Sequence, residues 1–178
     1  MADLIPFDEI THLFEDFEHT AWRLETQRGY ASDRLSPSWE RFQRGEAFGF
    51  NPDSPWHANV RAQTQRGKRF ERVRLVDDPP TEGQRFLMTS GLGNVAAGED
   101  IRNLYRAEAQ RLGLPDYDFW VFDSRTVVKF VIDEQGVTLG VQILEDPGTV
   151  VLACQARDAA WHHAIATAEF QAQVPSAM

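Results

Sequence analysis

Asp116 to Asp146 reads DYDFWVFDSRTVVKFVIDEQGVTLGVQILED, and this stretch decides the fold class. Residues 116–123, 126–133 and 137–146 are rich in Val, Ile, Phe and Thr, the side chains that suit a pleated, half-buried surface. Only Ser124-Arg125 and Glu134-Gln135-Gly136 separate them. Links this short join antiparallel neighbours, so the stretch predicts a three-strand meander.

Three more strands are expected upstream. KRFERVRLVD (68–77) interleaves Phe70, Val73, Leu75 and Val76 with charges. TAWRLETQ (20–27) carries Ala21, Trp22 and Leu24, and AGEDIRNLYR (97–106) is strand-like around Ile101 and Leu104. Helices are expected where apolar residues recur at helical spacing. Ile10, Leu13, Phe14 and Phe17 predict one over Ile5–Glu18. Ser36-Pro37 and Ser54-Pro55 are cap and first-turn signals for two more, stopped by Gly45 and Gly67. Thr81 with Gln84 forms a capping box ahead of Phe86, Met88, Leu92, Val95 and Ala96, although Gly91 and Gly93 weaken that helix. Pro147 to about Gln171 predicts a long C-terminal helix with Val150, Val151, Cys154, Trp161, Ile165 and Phe170 as its stripe. The expected class is α+β: a mainly antiparallel sheet of about five to six strands with helices packed on it. We expect one domain over 1–178, with two lobes (1–77 and 81–172) meeting at the polar link DDPPT.

Composition narrows the function classes. The chain has 178 residues, 42% hydrophobic and 25% charged, ordinary values for a globular protein. No apolar run approaches the roughly 20 residues of a membrane span, so no membrane partner is expected. MADLIPFDEI lacks the basic head and apolar stretch of a signal peptide, which leaves the cytoplasm as the expected compartment. The lone Cys154 excludes an internal disulfide and a multi-cysteine zinc site. Net charge is −9, yet residues 55–76 hold six basic side chains against one acid, Glu71. An acidic body with one basic segment is poor at coating DNA, because affinity grows with the phosphates neutralised. Such a segment can still bind a small anion or an acidic protein surface.

The chain resembles a known family through AGEDIRNLYR and DFWVFDSRTVVKFVIDEQG (118–136). HTAWRLETQRGYASDR (19–34), GKRFERVRLVDDPPT (67–81) and CQARDAAWHHAI (154–165) extend the match to about residues 4–172. The family comprises small actinobacterial proteins of unknown function, often encoded beside helix-turn-helix regulators. The resemblance implies a helix-turn-helix regulatory protein as partner. The C-terminal part is also similar to phospholipase D-like effector domains of bacterial regulators. Their enzyme relatives carry a His and a Lys two residues apart, and no His-x-Lys occurs in this sequence. A shared fold therefore does not imply shared chemistry.

No catalytic or metal residues are assigned from the sequence. The five histidines show no HxH, HxxxH or HExxH spacing, and adjacent His162 and His163 would point about 100° apart on a helix. Cys154 on an apolar stripe reads as a small hydrophobe. Glycines 91, 93 and 98 lack the order of a phosphate-binding loop and suit packing or a helix end. No cofactor is expected.

The most suggestive set is Arg69, Arg72, Arg74, Glu99, Arg102, Trp120 and Arg125. Arg72 and Arg74 alternate along one strand and so share a sheet face, with Glu71 on the other. Neighbouring guanidiniums repel unless an acid or bound anion lies between them. One solution is an internal carboxylate such as Glu99; the other is a site for an anionic ligand or partner, which Arg forks match well. The leading expectation is a non-enzymatic regulatory or ligand-sensing protein. The alternatives are an enzyme for phosphorylated or carboxylated small molecules, with Glu99 or Asp123 as base, and a toxin–antitoxin component.

Overall fold

The computed structural model describes residues 3–174. Its centre is three parallel strands, β1 (Thr20–Glu25), β2 (Arg69–Val76) and β3 (Asp100–Tyr105). Helices α2 (Pro37–Gln43) and α3 (Pro55–Gln65) separate the first two, and α4 (Glu82–Ala97) separates the last two. Parallel neighbours require such crossovers, because a hairpin can only reverse the chain. The meander then follows as β4 (Phe119–Phe122), β5 (Thr126–Ile132) and β6 (Thr138–Leu144), with β4 antiparallel to β1. A two-residue strand, β7 (Ile165–Ala166), lies antiparallel to β3, giving the order β6-β5-β4-β1-β2-β3-β7. The sheet is thus mixed, with seven strands, not mainly antiparallel with five to six. The fold remains α+β. Strands β1 and β2, from before Asp77, pair directly with β4 and β3, from after Thr81.

The caps act as the sequence suggests. Ser36 and Ser54 side chains accept from the N–H groups of Trp39 and His57, each with proline at the first helical position. Thr81 and Gln84 close a reciprocal capping box at the head of α4. That helix runs through both Gly91 and Gly93. At Gly93 the reason is close approach, since a Cβ there would meet the Gly49 carbonyl carbon at 2.5 Å.

Two expectations need correction, and one helix is new. Ile5–Glu18 is not one helix but a 3-10 turn at Phe7–Ile10 and a single turn, α1 (Leu13–Asp16). Ile5 instead exchanges backbone hydrogen bonds with Val141 of β6. A short helix that the sequence reading omitted, α5 (Arg106–Arg111), follows β3. The long C-terminal helix stops early. α6 (Pro147–His163) ends where Ala164 turns extended, β7 pairs with the β3 edge, and α7 (Thr167–Gln173) begins afresh. Buried Thr167 holds that break: its hydroxyl donates to the Ile101 carbonyl and accepts from Asn103 Nδ2.

Helices cover both sheet faces. One face buries Ala21, Phe70, Trp120, Phe122 and Val128 against Ile10, Phe14, Phe17 and Val60. The other buries Trp22, Leu24, Val73, Leu75 and Val121 against α5 and α6 through Ala109, Val150, Ala153 and Ala160. Burying one such large side chain contributes roughly 1.5–3 kcal/mol. Among the described residues no helix is long and apolar enough to cross a membrane.

Candidate functional site

Parallel pairing sets Arg23 of β1 beside Arg72 of β2, and Glu25 beside Arg74. Period-two alternation puts all four on the first face, toward the carboxyl ends of their strands. Open sheets that contain parallel strands commonly bind ligands outside those ends. Four charges in that position need partners from elsewhere, and the surrounding elements supply them.

Arg72 forks onto Glu99, with Nε donating to Oε2 at 2.6 Å and Nη2 to Oε1 at 3.1 Å. Its Nη1 donates to Glu25 Oε1 at 2.9 Å. Arg74 donates through Nε to the other Glu25 oxygen and through Nη1 to the Leu87 carbonyl of α4. Arg23 completes the set, 3.3 Å from Glu25 Oε1 and 3.1 Å from Asp118 Oδ2. The Tyr30 hydroxyl and the N–H and hydroxyl of Thr26 all donate to Asp118. Trp56 Nε1 donates to Glu99 Oε1 at 2.5 Å. Aromatic faces back the guanidiniums: Arg72 lies 5.2 Å from the centre of the Trp120 ring and 5.3 Å from that of Trp56. Arg23 lies 4.8 Å from the Phe130 centre.

Three arginines thus meet three carboxylates. Burial alone would raise the Glu25 pKa, but Arg74, Arg23 and Arg72 together hold it well below the ordinary carboxylate range. Burial opposes the charge on Arg72, and Glu99 and Glu25 more than restore it. Burial and the charges of Glu25 and Asp118 keep the Tyr30 hydroxyl protonated far into base.

A cavity of about 560 Å³ opens above this network. Arg23, Glu25, Arg72 and Arg74 form its floor, while Tyr30 and Asp33 reach in from the loop after β1. Ser90 and Asn94 of α4 line the wall, and Phe7, Phe130 and Leu139 supply an apolar side. Asn94 is oriented from behind, its Oδ1 2.8 Å from His57 Nε2, while the Asn51 N–H donates to His57 Nδ1. The volume falls within the range of small-molecule pockets, and the lining is more polar than most.

Four of the seven residues singled out in the sequence converge here: Arg72, Arg74, Glu99 and Trp120. The other three lie apart. Arg69 is exposed at the start of β2, 3.2 Å from Glu71 on the opposite face. Arg102 also faces the second layer, 3.8 Å from the centre of the Trp161 ring, and it pairs with Asp100 at 3.4 Å. Arg125 sits in the β4–β5 turn, exposed, 3.7 Å from Glu18. Asp123, the other base considered, accepts from the N–H groups of Glu18, His19 and Thr20. Burial opposes its ionisation, and those donors lower its pKa regardless. Among the described residues no three His, Cys, Asp or Glu side chains converge to hold a metal ion.

Sequence reasoning missed Arg23, Glu25, Tyr30, Asp33 and Asp118. A signal was present for the first two: Arg23-x-Glu25 alternates with Trp22 and Leu24, as Arg72-x-Arg74 does with its neighbours. Tyr30 and Asp33 come from a loop whose course no local pattern reveals.

No curated protein sequence matches the chain. Solved structures do match it in fold. Nuc from Salmonella typhimurium, a phospholipase D family member, is 10% identical with a TM-score of 0.50, covering 89% of this chain and 88% of that one. NucT from Helicobacter pylori is 8% identical with a TM-score of 0.53, covering 93% and 97%. At such identities the likeness shows the fold alone, a phospholipase D-like one. Residues 8–172 match the family described as "Domain of unknown function (DUF6879)", and the chain belongs to that family.

Proposed function

We propose that this chain is a non-enzymatic ligand-sensing domain, which holds a small polar molecule in the cavity and signals its presence to a partner protein. One observation carries the reading: every charged side chain of the polar floor is ion-paired by the chain's own residues before any ligand arrives. Such a floor offers oriented hydrogen-bond groups at little reorganisation cost, which favours recognition. Its own carboxylate, Glu25, is held by three arginines. Glu99 is occupied by Arg72 and Trp56, and Asp123 by three backbone donors. Both candidate bases of the enzyme reading are therefore committed to structure.

The partner we propose is a helix-turn-helix regulator, as the resemblance to actinobacterial proteins encoded beside such regulators suggests. The net charge of −9 favours association with a basic surface and weakens with added salt. The proposed compartment is the cytoplasm, where such a regulator works.

A thermal-shift screen of small polar metabolites tests the reading. At least one compound should raise the melting temperature, lose that effect in the cavity-filling variant Ser90→Trp, and be recovered chemically unchanged. Turnover of the bound compound by the purified chain would overturn it in favour of an enzyme.

A further inference from the structure

Arg23 Nε is fully buried without an acceptor, and two further groups that border the cavity are left over when the network is complete. Arg74 is buried, with its side chain 5% exposed, and Glu25 and the Leu87 carbonyl use its Nε and Nη1. Its Nη2 donates to nothing among the described residues and retains access to solvent. Asp33 is half-buried and lines the same cavity. One of its oxygens accepts the Tyr30 N–H at 3.0 Å. Among the described residues no Lys, Arg or His lies within ion-pair distance of it.

The charge balance decides what kind of ligand this suits. Arg23, Arg72 and Arg74 are matched by Glu25, Glu99 and Asp118, so the floor is neutral as a unit. Asp33 is the surplus: burial pushes its carboxyl above its ordinary pKa, the Glu25 charge adds to that, and the Tyr30 N–H and the charges of Arg74 and Arg23 oppose it. An anion entering the cavity would add charge beside a carboxylate that has no ion pair of its own. A cation would supply that compensation. The number of arginines in the sequence suggests an anion site; their pairing reverses the sign.

We propose that the cavity receives a small organic cation, an amine whose ammonium meets Asp33 and whose neutral carbonyl or hydroxyl oxygen accepts from Arg74 Nη2. The proposal rests on the ligand-sensing reading and names the ligand class for the same site. Phe7 and Leu139 on the apolar side would take the carbon skeleton of such a molecule.

Matched fragment triads test it, each sharing one scaffold as an amine, a neutral isostere and a carboxylate. Binding to the full-length chain is followed by saturation-transfer NMR and by the amide shifts of Tyr30 and Asp33. Amine members should bind at least tenfold more tightly than their carboxylate counterparts. Asp33→Asn should abolish that preference, and Asp33→Glu should keep most of it. Tighter binding of carboxylates, or an amine preference that survives Asp33→Asn, would overturn the cation assignment and leave the receptor reading standing. Silence of the cavity resonances toward all three classes would overturn both. The ranking by the native chain fixes the sign of the ligand even where a variant folds poorly.

Discussion

Arg74 and Gly91 compete for one space: a Cβ at position 91 would stand 2.6 Å from Arg74 Nη1. Helix α4 gives up a side chain so that the guanidinium can lie against it and reach the Leu87 carbonyl. In an ordinary helix interior, alanine in place of glycine stabilises by roughly 0.5–1 kcal/mol. Here the added methyl displaces a buried charge-assisted hydrogen bond worth about 1.5–3 kcal/mol. Gly91→Ala should therefore lower stability, by about 1–2 kcal/mol in urea denaturation. A stabilised variant would mean that the guanidinium moves aside at no cost.

Arg72 is held by Glu99 and Glu25, and its side chain is 8% exposed. Truncation to alanine strands buried Glu99, while Glu25 keeps Arg74 and Arg23, and breaking a buried pair in this way costs about 3–5 kcal/mol. Arg72→Ala should show a correspondingly large fall in melting temperature. Adding Glu99→Gln in the same chain should recover part of it, because the stranded charge is then gone. A double variant no more stable than Arg72→Ala would place the cost in lost packing on Trp56 and Trp120 instead.

Acid should act on the same network. The folded-state pKa of Glu25 lies below its unfolded value, so in acid the unfolded chain binds the extra proton. The stability contributed by Glu25 is fully present above the unfolded carboxylate pKa of about 4.3 and is lost as pH falls from there toward the folded value. Denaturation measured from pH 7 to 3 should show stability falling below about pH 4.5. In Glu25→Gln the whole curve should sit lower, with a shallower acid slope. A slope equal to that of the native chain would move the acid sensitivity to other carboxylates.

Local chemistry made much of the fold legible. Ser36, Ser54 and Thr81 marked three helix starts because capping is a contact within one turn of chain. The meander was legible because its links are two and three residues long. The parallel centre was legible too, in the alternation of strand, helices, strand, helix and strand, a pattern that calls for crossovers. Reading the meander first hid it. Half of the site followed from the alternation of Arg72 and Arg74. The rest depended on register: only the pairing of Glu25 with Arg74 shows which acid neutralises which base, and register is a property of two strands. The end of α6 at His163 was hidden for a similar reason, since the β3 edge that captures Ile165 and Ala166 lies about 60 residues upstream.

The basic segment bears on nucleic acid. Of its six cationic side chains, Arg72 and Arg74 are buried in the network, which leaves Arg61, Arg66, Lys68 and Arg69. Arg69 is paired with Glu71 at 3.2 Å, and Lys68 Nζ donates to the Glu15 carbonyl at 2.6 Å. Arg61 lies 4.5 Å from the centre of the Phe50 ring. A surface that neutralises at most four phosphates loses affinity with a logarithmic salt slope no steeper than about −4, and the remaining acidic body repels the rest of the duplex. Fluorescence anisotropy with a labelled duplex should detect no binding at ~150 mM salt, and only weak binding at a few tens of millimolar. A steeper slope would require cations beyond these four. Tight binding at ~150 mM salt would then mean that the acidic body carries a DNA-facing surface of its own.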